Sequence, residues 1–409
     1  MKFKNEKIGI YLANGFEYYD LAVYSAIQSY IAVNFFPETA FGSYGHLLAW
    51  APFILRFISR PFGGFAIGLY ADRHGRKAAL VLTSALTGLA TVTMALLPTY
   101  EQIGLWAPLL FFCMQLIQAA AFGGEFPTAI SYLIENTKPT HHARVGANLG
   151  VWLLIFIILP LIIVSITESI LTKEDMIDFG WRVPILIGII NIGMSYYFKI
   201  KLTESRNIKL RQKVNVSFIS IIKIFLIFTP NTILFYSNTV SNKILIKAFT
   251  DDPSLQSHLP IAFNLLFAII CYIIGYATDK YSNVKNTMKY SYGFMIISAV
   301  PIYALQALGN LTALIISQFF IALFIGVTLS GTPASVYSCA SSSNTIANIG
   351  IGINLAAALI GASIPLAVNI LSSYHPAYVG LLMSLGGLAY FIALALSKDH
   401  KGETALYPS

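Results

Sequence analysis

The sequence predicts an all-α polytopic membrane protein, with twelve transmembrane helices in two pseudo-symmetric six-helix bundles. Three observations predict it. Hydrophobic residues make up 56% of the 409 residues and charged residues 11%, far below the roughly 25% charged residues of soluble domains. Apolar runs of about 20 residues, the length that crosses a bilayer, recur along the chain. Counting sides alternately from the N-terminus, the basic residues collect on one side, leaving only Lys173, Arg182, Lys243 and Lys247 on the other. By the positive-inside rule that side and both termini are cytoplasmic.

The first run, 8–34, follows Lys2, Lys4 and Lys7 as the core of a signal peptide would. It contains Glu17 and Asp20 and lacks a small-residue cleavage site, so it is expected to stay as the first span. Runs at 44–71, 79–98, 104–135, 144–167 and 181–200 complete an N-terminal bundle over 1–200. A polar, basic stretch without Gly or Pro, 201–214, reads as a cytoplasmic linker. Spans at 215–239, 257–279, 287–307, 311–333, 346–371 and 377–397 form a C-terminal bundle over 215–397. The charged segment 239–259 is either a loop or a helix extension. A short cytoplasmic tail occupies 398–409.

The net charge of +8 and mean hydropathy of +0.69 assign the basic excess to a membrane surface, with no nucleic-acid partner. Cys113, Cys271 and Cys339 are odd in number and widely spaced, which gives neither a disulfide framework nor a metal set. No serine nucleophile motif, His/Cys cluster or phosphate loop supports an enzyme.

One turn carries the most specific pattern. Gly68-Leu-Tyr-Ala-Asp72-Arg73-His74-Gly75-Arg76-Lys77 lies between the second and third spans. Gly68 allows close helix contact, Gly75 allows a tight turn, and Asp72 can accept bonds from a helix N-terminus, while Arg73, Arg76 and Lys77 stay at the headgroups. Gly275-Tyr-Ala-Thr-Asp279-Lys280-Tyr-Ser282 follows the eighth span in the same register, with Ser282 and Asn283 replacing the glycine and arginine.

The first of these runs resembles the G-x-x-x-D-R-x-G-R-K pattern of the major facilitator superfamily. Within it, Gly15-Phe-Glu17-Tyr18-Tyr19-Asp20-Leu-Ala-Val-Tyr24, Arg60-Pro61-Phe-Gly63-Gly64, Gln118-Ala-Ala-Ala-Phe-Gly123-Gly124-Glu125 and Gly180-Trp181-Arg182-Val-Pro184 resemble the metabolite:H+ symporters, the group of proline/betaine, α-ketoglutarate, citrate and shikimate carriers. Asn354 and Gly361-Ala-Ser-Ile-Pro365 resemble that group's eleventh helix. The resemblance implies a carrier working by alternating access, in which Gly68, Asp72, Arg73, Gly75, Arg76, Asp279 and Lys280 form a cytoplasmic gate. It implies a small polar substrate, protons as the coupling ion, no other cofactor or metal, and a monomer in a bacterial cytoplasmic membrane. Two positions depart from the pattern: Gln115 stands where relatives usually have a basic residue, with Arg56 as its substitute, and Ala119 replaces a glycine.

Buried charges nominate the site without the family. At 1.5 Å per residue Glu17 lies about 15 Å beyond Lys7, and Arg60 about 18 Å beyond Asp72. Glu17 and Asp20 share one helix face and Arg56 and Arg60 share another, so an acidic-basic cluster between the first two spans is expected, either lining the cavity or fixing packing. Glu125, after a glycine pair and before Pro127, sits beside loosened backbone and suits proton exchange. Tyr18 and Tyr24 flank the acids, and Gln115, Gln118 and Asn354 complete the candidate substrate and coupling set. Two nearby arginines favour a carboxylate-bearing organic acid or a zwitterion such as proline or betaine. The competing functions are export, uncoupled exchange or facilitation, and a transport-inactive receptor.

Overall fold

The computed structural model describes residues 2–44, 48, 51–204, 216–249, 252–340 and 344–398; most of the expected linker and nearly all of the expected tail lie outside them. Among the described residues every regular element is a helix. The spans are α1 (Lys2–Ala26) continuing into α2 (Gln28–Phe35), α3 (Ala51–His74), α4 (Arg76–Leu96), α5 (Trp106–Glu135), α6 (His142–Ile170), α7 (Arg182–Ile200), α8 (Phe218–Phe249), α9 (Pro253–Tyr281), α10 (Val284–Gln306), α11 (Leu311–Cys339), α12 (Thr345–Ala356) with α13 (Ala362–Tyr374), and α14 (Val379–Lys398).

Nine of the helices are, over the described residues, long and apolar enough to cross a membrane. The remaining three spans, α1, α3 and α10, carry Glu17 and Asp20, Arg56 and Arg60, and Lys285 and Lys289, and these side chains lower their hydropathy. Large apolar side chains such as Phe62, Ile190, Ile297 and Leu366 point outward, as a surface solvated by acyl chains requires and a water-facing surface does not.

Three local features refine the expected spans. The first span bends at Ile27 (φ −102°, ψ 11°), a bridge-region conformation entered without Gly or Pro. The described part of the second span is Ala51–His74, and its expected start at 44 falls beside residues outside the described ones. Segment 239–259 is largely helix, divided between α8 and α9. The eleventh span widens into a π-turn at Ala357–Gly361, just before Pro365, which has no N–H to return to the Gly361 carbonyl.

The chain forms two compact units. The first is Met1–Ala129 with Ile155–Arg211, and the second is Ile130–Leu154 with Gln212–Ser409. In the first, Tyr19, Phe35, Phe111 and Trp181 are fully buried, and so is one lysine, Lys199. In the second, Tyr292, Tyr303 and Tyr390 hold the equivalent depth of core.

Candidate binding and coupling site

Small residues bring α3 against α5. A side chain at Gly63 would meet the Ala120 backbone, and one at Gly123 would meet the Arg60 carbonyl, so the two backbones touch as they do at small-residue crossings in membranes. That approach presents Arg56 and Arg60 to α5. Arg56 Nη1 donates to Gln115 Oε1 at 2.9 Å, and Gln115 Nε2 donates to Met94 Sδ at 3.2 Å. Arg60 lies over the Phe122 ring at 4.1 Å and beside Phe57 at 5.7 Å, and Tyr18 packs edge-on against Phe122 and Phe126. Arg60 is 7% exposed, and no described residue gives its guanidinium an ion pair or a hydrogen bond.

Two residues beyond Tyr18 on the same helix, Asp20 Oδ2 accepts from Thr91 Oγ1 at 3.1 Å and Gln118 Nε2 at 3.2 Å, and Gln118 also donates to Thr91 at 3.0 Å. Gly188 makes room for the other oxygen: a Cβ there would lie 2.8 Å from Oδ1. Asp20, Tyr24, Thr91, Phe111, Gln115 and Gln118 line a cavity of about 20 Å³. That is room for a water molecule and too little for a metabolite.

A third cluster lies at the level of Glu17. Lys199, on the last turn of α7, is in direct contact with Glu125 Oε1, lies 3.5 Å from Glu17 Oε1 and donates to Ser84 Oγ at 2.7 Å. Thr83 Oγ1 donates to Glu125 Oε2 at 2.6 Å. Glu17 Oε2 is buried with no hydrogen-bond partner. Two carboxyl groups therefore face one ammonium group.

Both charged turns hold a partnered aspartate. Between α3 and α4 Gly75 has φ +100°, a value open to glycine and strained for other residues. Asp72 pairs with Arg76 at 3.8 Å. Glu204, which packs against Gly75, accepts the Lys77 N–H at 3.2 Å, placing a negative charge at the start of α4 where the helix dipole favours it. Gly68 is buried and Arg73 exposed. In the second unit Asp279 accepts the N–H groups of Ala143 and Arg144, each at 3.0 Å, and Lys280 lies over the Tyr281 ring at 4.8 Å.

Residues 11–397 match the sequence profile of the Major Facilitator Superfamily. The chain belongs to that superfamily. It is 26% identical to a putative proline/betaine transporter of Staphylococcus aureus (strain COL), over all of this chain and 91% of that protein. It is 25% identical to the alpha-ketoglutarate permease of Escherichia coli (strain K12), over 97% and 94% of the two chains. A solved structure of the proton:xylose symporter XylE matches with a TM-score of 0.74 at 14% identity, covering 98% of this chain and 96% of that one; at that identity the likeness concerns the fold. This superfamily member is an integral membrane transporter, not an enzyme.

The transporter's structure corrects one expectation. Among the described residues no ion pair within 4 Å joins Glu17 or Asp20 to Arg56 or Arg60: Glu17 turns to Lys199 and Asp20 bonds to Thr91 and Gln118, although the Arg56 charge still lies near enough to act on Asp20. Equal depth along two helices leaves their rotation about the helix axes open, and that rotation aims each pair elsewhere. Arg56 instead reaches Gln115, bringing a cation to the position whose side chain is neutral. Tyr18, Tyr24, Gln118 and Glu125 join the clusters of the first unit. Asn354 lies in the second unit and donates to Gly350 of its own helix at 2.7 Å. Lys199, Thr83, Thr91 and Glu204 escaped sequence analysis. Ser195, four residues before Lys199, was a usable sign, because it puts a second polar group on the face of α7 that carries the lysine.

Proposed function

We propose that this superfamily member moves a small carboxylate-bearing metabolite, an organic acid or a zwitterion such as proline or betaine, by alternating access and proton symport. The carrying observation is Arg60, a residue 7% exposed whose guanidinium stacks on Phe122 without an anionic partner. An unpaired buried charge costs several kcal/mol, and a substrate carboxylate bound bidentately to its fork would offset that cost. The relatives named for proline/betaine and alpha-ketoglutarate transport carry carboxylates in all three named solutes, which supports the same chemistry. Proton coupling draws its support from the surplus of acid over base in the Glu17, Glu125 and Lys199 cluster. The basic asymmetry of the loops supports a bacterial cytoplasmic membrane with both termini inside, and we take the monomer as the working unit.

Uncoupled exchange is the second reading, favoured by the neutral Gln115. Uptake of labelled organic acids, amino acids and betaines into proteoliposomes, with and without an inward proton gradient, separates the two. Accumulation above equilibrium that needs the gradient supports symport, and flux that only equilibrates favours exchange or facilitation. A panel with no flux would sink the proposed substrate class.

A further inference from the structure

We infer that Glu17 carries the exchangeable proton and that Lys199 with Glu125 forms a fixed ion pair that positions it. The inference deepens the proton-coupled reading and rests on it for its role in transport.

The two carboxyl groups are unequal. Glu125 is satisfied on both oxygens, by the Lys199 ammonium on Oε1 and by Thr83 on Oε2, and protonating it would give up part of a charge-assisted contact. Glu17 touches Lys199 at 3.5 Å through Oε1, its Oε2 accepts no hydrogen bond, and its carboxyl lies within hydrogen-bond reach of Glu125 once one of the two carries a proton. Lys199 has three N–H groups and three acceptors, Glu125, Ser84 and Glu17, so its charge is held in place. The charged and titratable neighbours of Glu17 are Glu125 from α5, Lys199 from α7 and Asp20 one turn along its own helix. With Glu17 and Glu125 both ionised the trio has a net negative charge, and the next group along the helix is another acid. One proton brings the trio to neutrality, which a low-dielectric interior favours. It adds to Glu17 Oε2 and leaves from the same atom, so an O–H bond is all that forms and breaks.

The inference is testable without a substrate. The full-length protein in phosphatidylcholine vesicles is taken through a pH titration and followed by infrared difference spectroscopy at the carboxylic acid C=O stretch, in an Asp20→Asn background that removes the neighbouring acid. A band is expected to grow on acidification, to disappear in Glu17→Gln, and to stay in position in Thr83→Val, since valine is nearly isosteric and Thr83 bonds to Glu125 alone of the two. Persistence of the band in Glu17→Gln, its absence before Glu17 is changed, or a shift in Thr83→Val would overturn the assignment. The transport reading is scored apart by gradient-driven uptake in the wild-type background. A wild type showing the band but no gradient-dependent accumulation would sink symport and leave the proton on Glu17. Accumulation that still needs the gradient in Glu17→Gln would overturn the inference and leave symport standing.

Discussion

Asp279 closes the first turn of α6: its carboxylate accepts the Ala143 and Arg144 N–H groups at 3.0 Å each, and Arg144 Nε lies 3.3 Å from the same group. The first turn of a helix has no internal partners for its N–H groups, so the last residues of α9 hold the start of α6. Asp279→Ala is expected to cost about 1–2 kcal/mol, with Asp279→Asn in between because an amide oxygen still accepts. The measurement is the thermal midpoint of the purified protein. Two variants as stable as wild type would remove the capping role.

Close packing of α3 on α5 makes a second prediction. Gly63→Ala drives a methyl group into the Ala120 backbone, whereas Gly193→Ala on α7 meets nothing within 4 Å. Overpacking of a core costs about 1–3 kcal/mol, and here the obstacle is main chain, which cannot rotate away. Gly63→Ala is expected to reduce the monodisperse fraction in size-exclusion chromatography, and Gly193→Ala to leave it unchanged. Equal behaviour would show that the crossing tolerates separation.

The membrane class, the twelve spans and the two Asp turns were legible because hydropathy and positive-inside asymmetry act over whole segments. The pairing of buried charges was not. Depth follows from counting residues, but the partner of Glu17 depends on how far α1, α5 and α7 are rotated, and that is set by packing such as Gly9 of α1 on Phe198 of α7. Lys199 was missed because a lysine one residue from the end of a span normally reaches the headgroups, whereas here it turns inward to Ser84 and Glu125. The bend at Ile27 carries no Gly or Pro to announce it. The π-turn at Ala357–Gly361 comes just before Pro365, but Pro127, Pro160, Pro230 and Pro333 lie in unbroken α-helix, so a proline within a span did not announce it.

Arg56 and Arg60 are expected to respond oppositely to the same change. Arg56→Met strands the Gln115 oxygen and should lower stability by about 1–3 kcal/mol. Arg60→Met removes a buried charge with no anionic partner and should hold or raise the thermal midpoint, while uptake of the carboxylate substrate falls at least about tenfold, the equivalent of roughly 1.4 kcal/mol. Arg60→Lys should also transport poorly, because a single ammonium cannot reproduce the planar fork. Thermal midpoints and uptake rates on the same preparations decide the matter. A loss of stability in Arg60→Met equal to that in Arg56→Met would make Arg60 a packing residue.

The buried lysine makes the sharpest stability prediction. Lys199→Met leaves Glu17 and Glu125 facing each other with no cation, in a region where Lys199 is 1% exposed. Breaking a buried pair by removing one partner typically costs about 3–5 kcal/mol, because the remaining charge is uncompensated. If that charge is the cause, deleting a carboxylate as well should restore stability. Lys199→Met with Glu125→Gln is therefore expected to recover more than half of the loss, although each change alone removes a native contact. The coupling between the two sites, read from a double-mutant cycle on thermal or denaturant midpoints, should be large and favourable. Additive losses would mean that Lys199 matters for its aliphatic packing, and would detach the charge of α7 from the chemistry of Glu17 and Glu125.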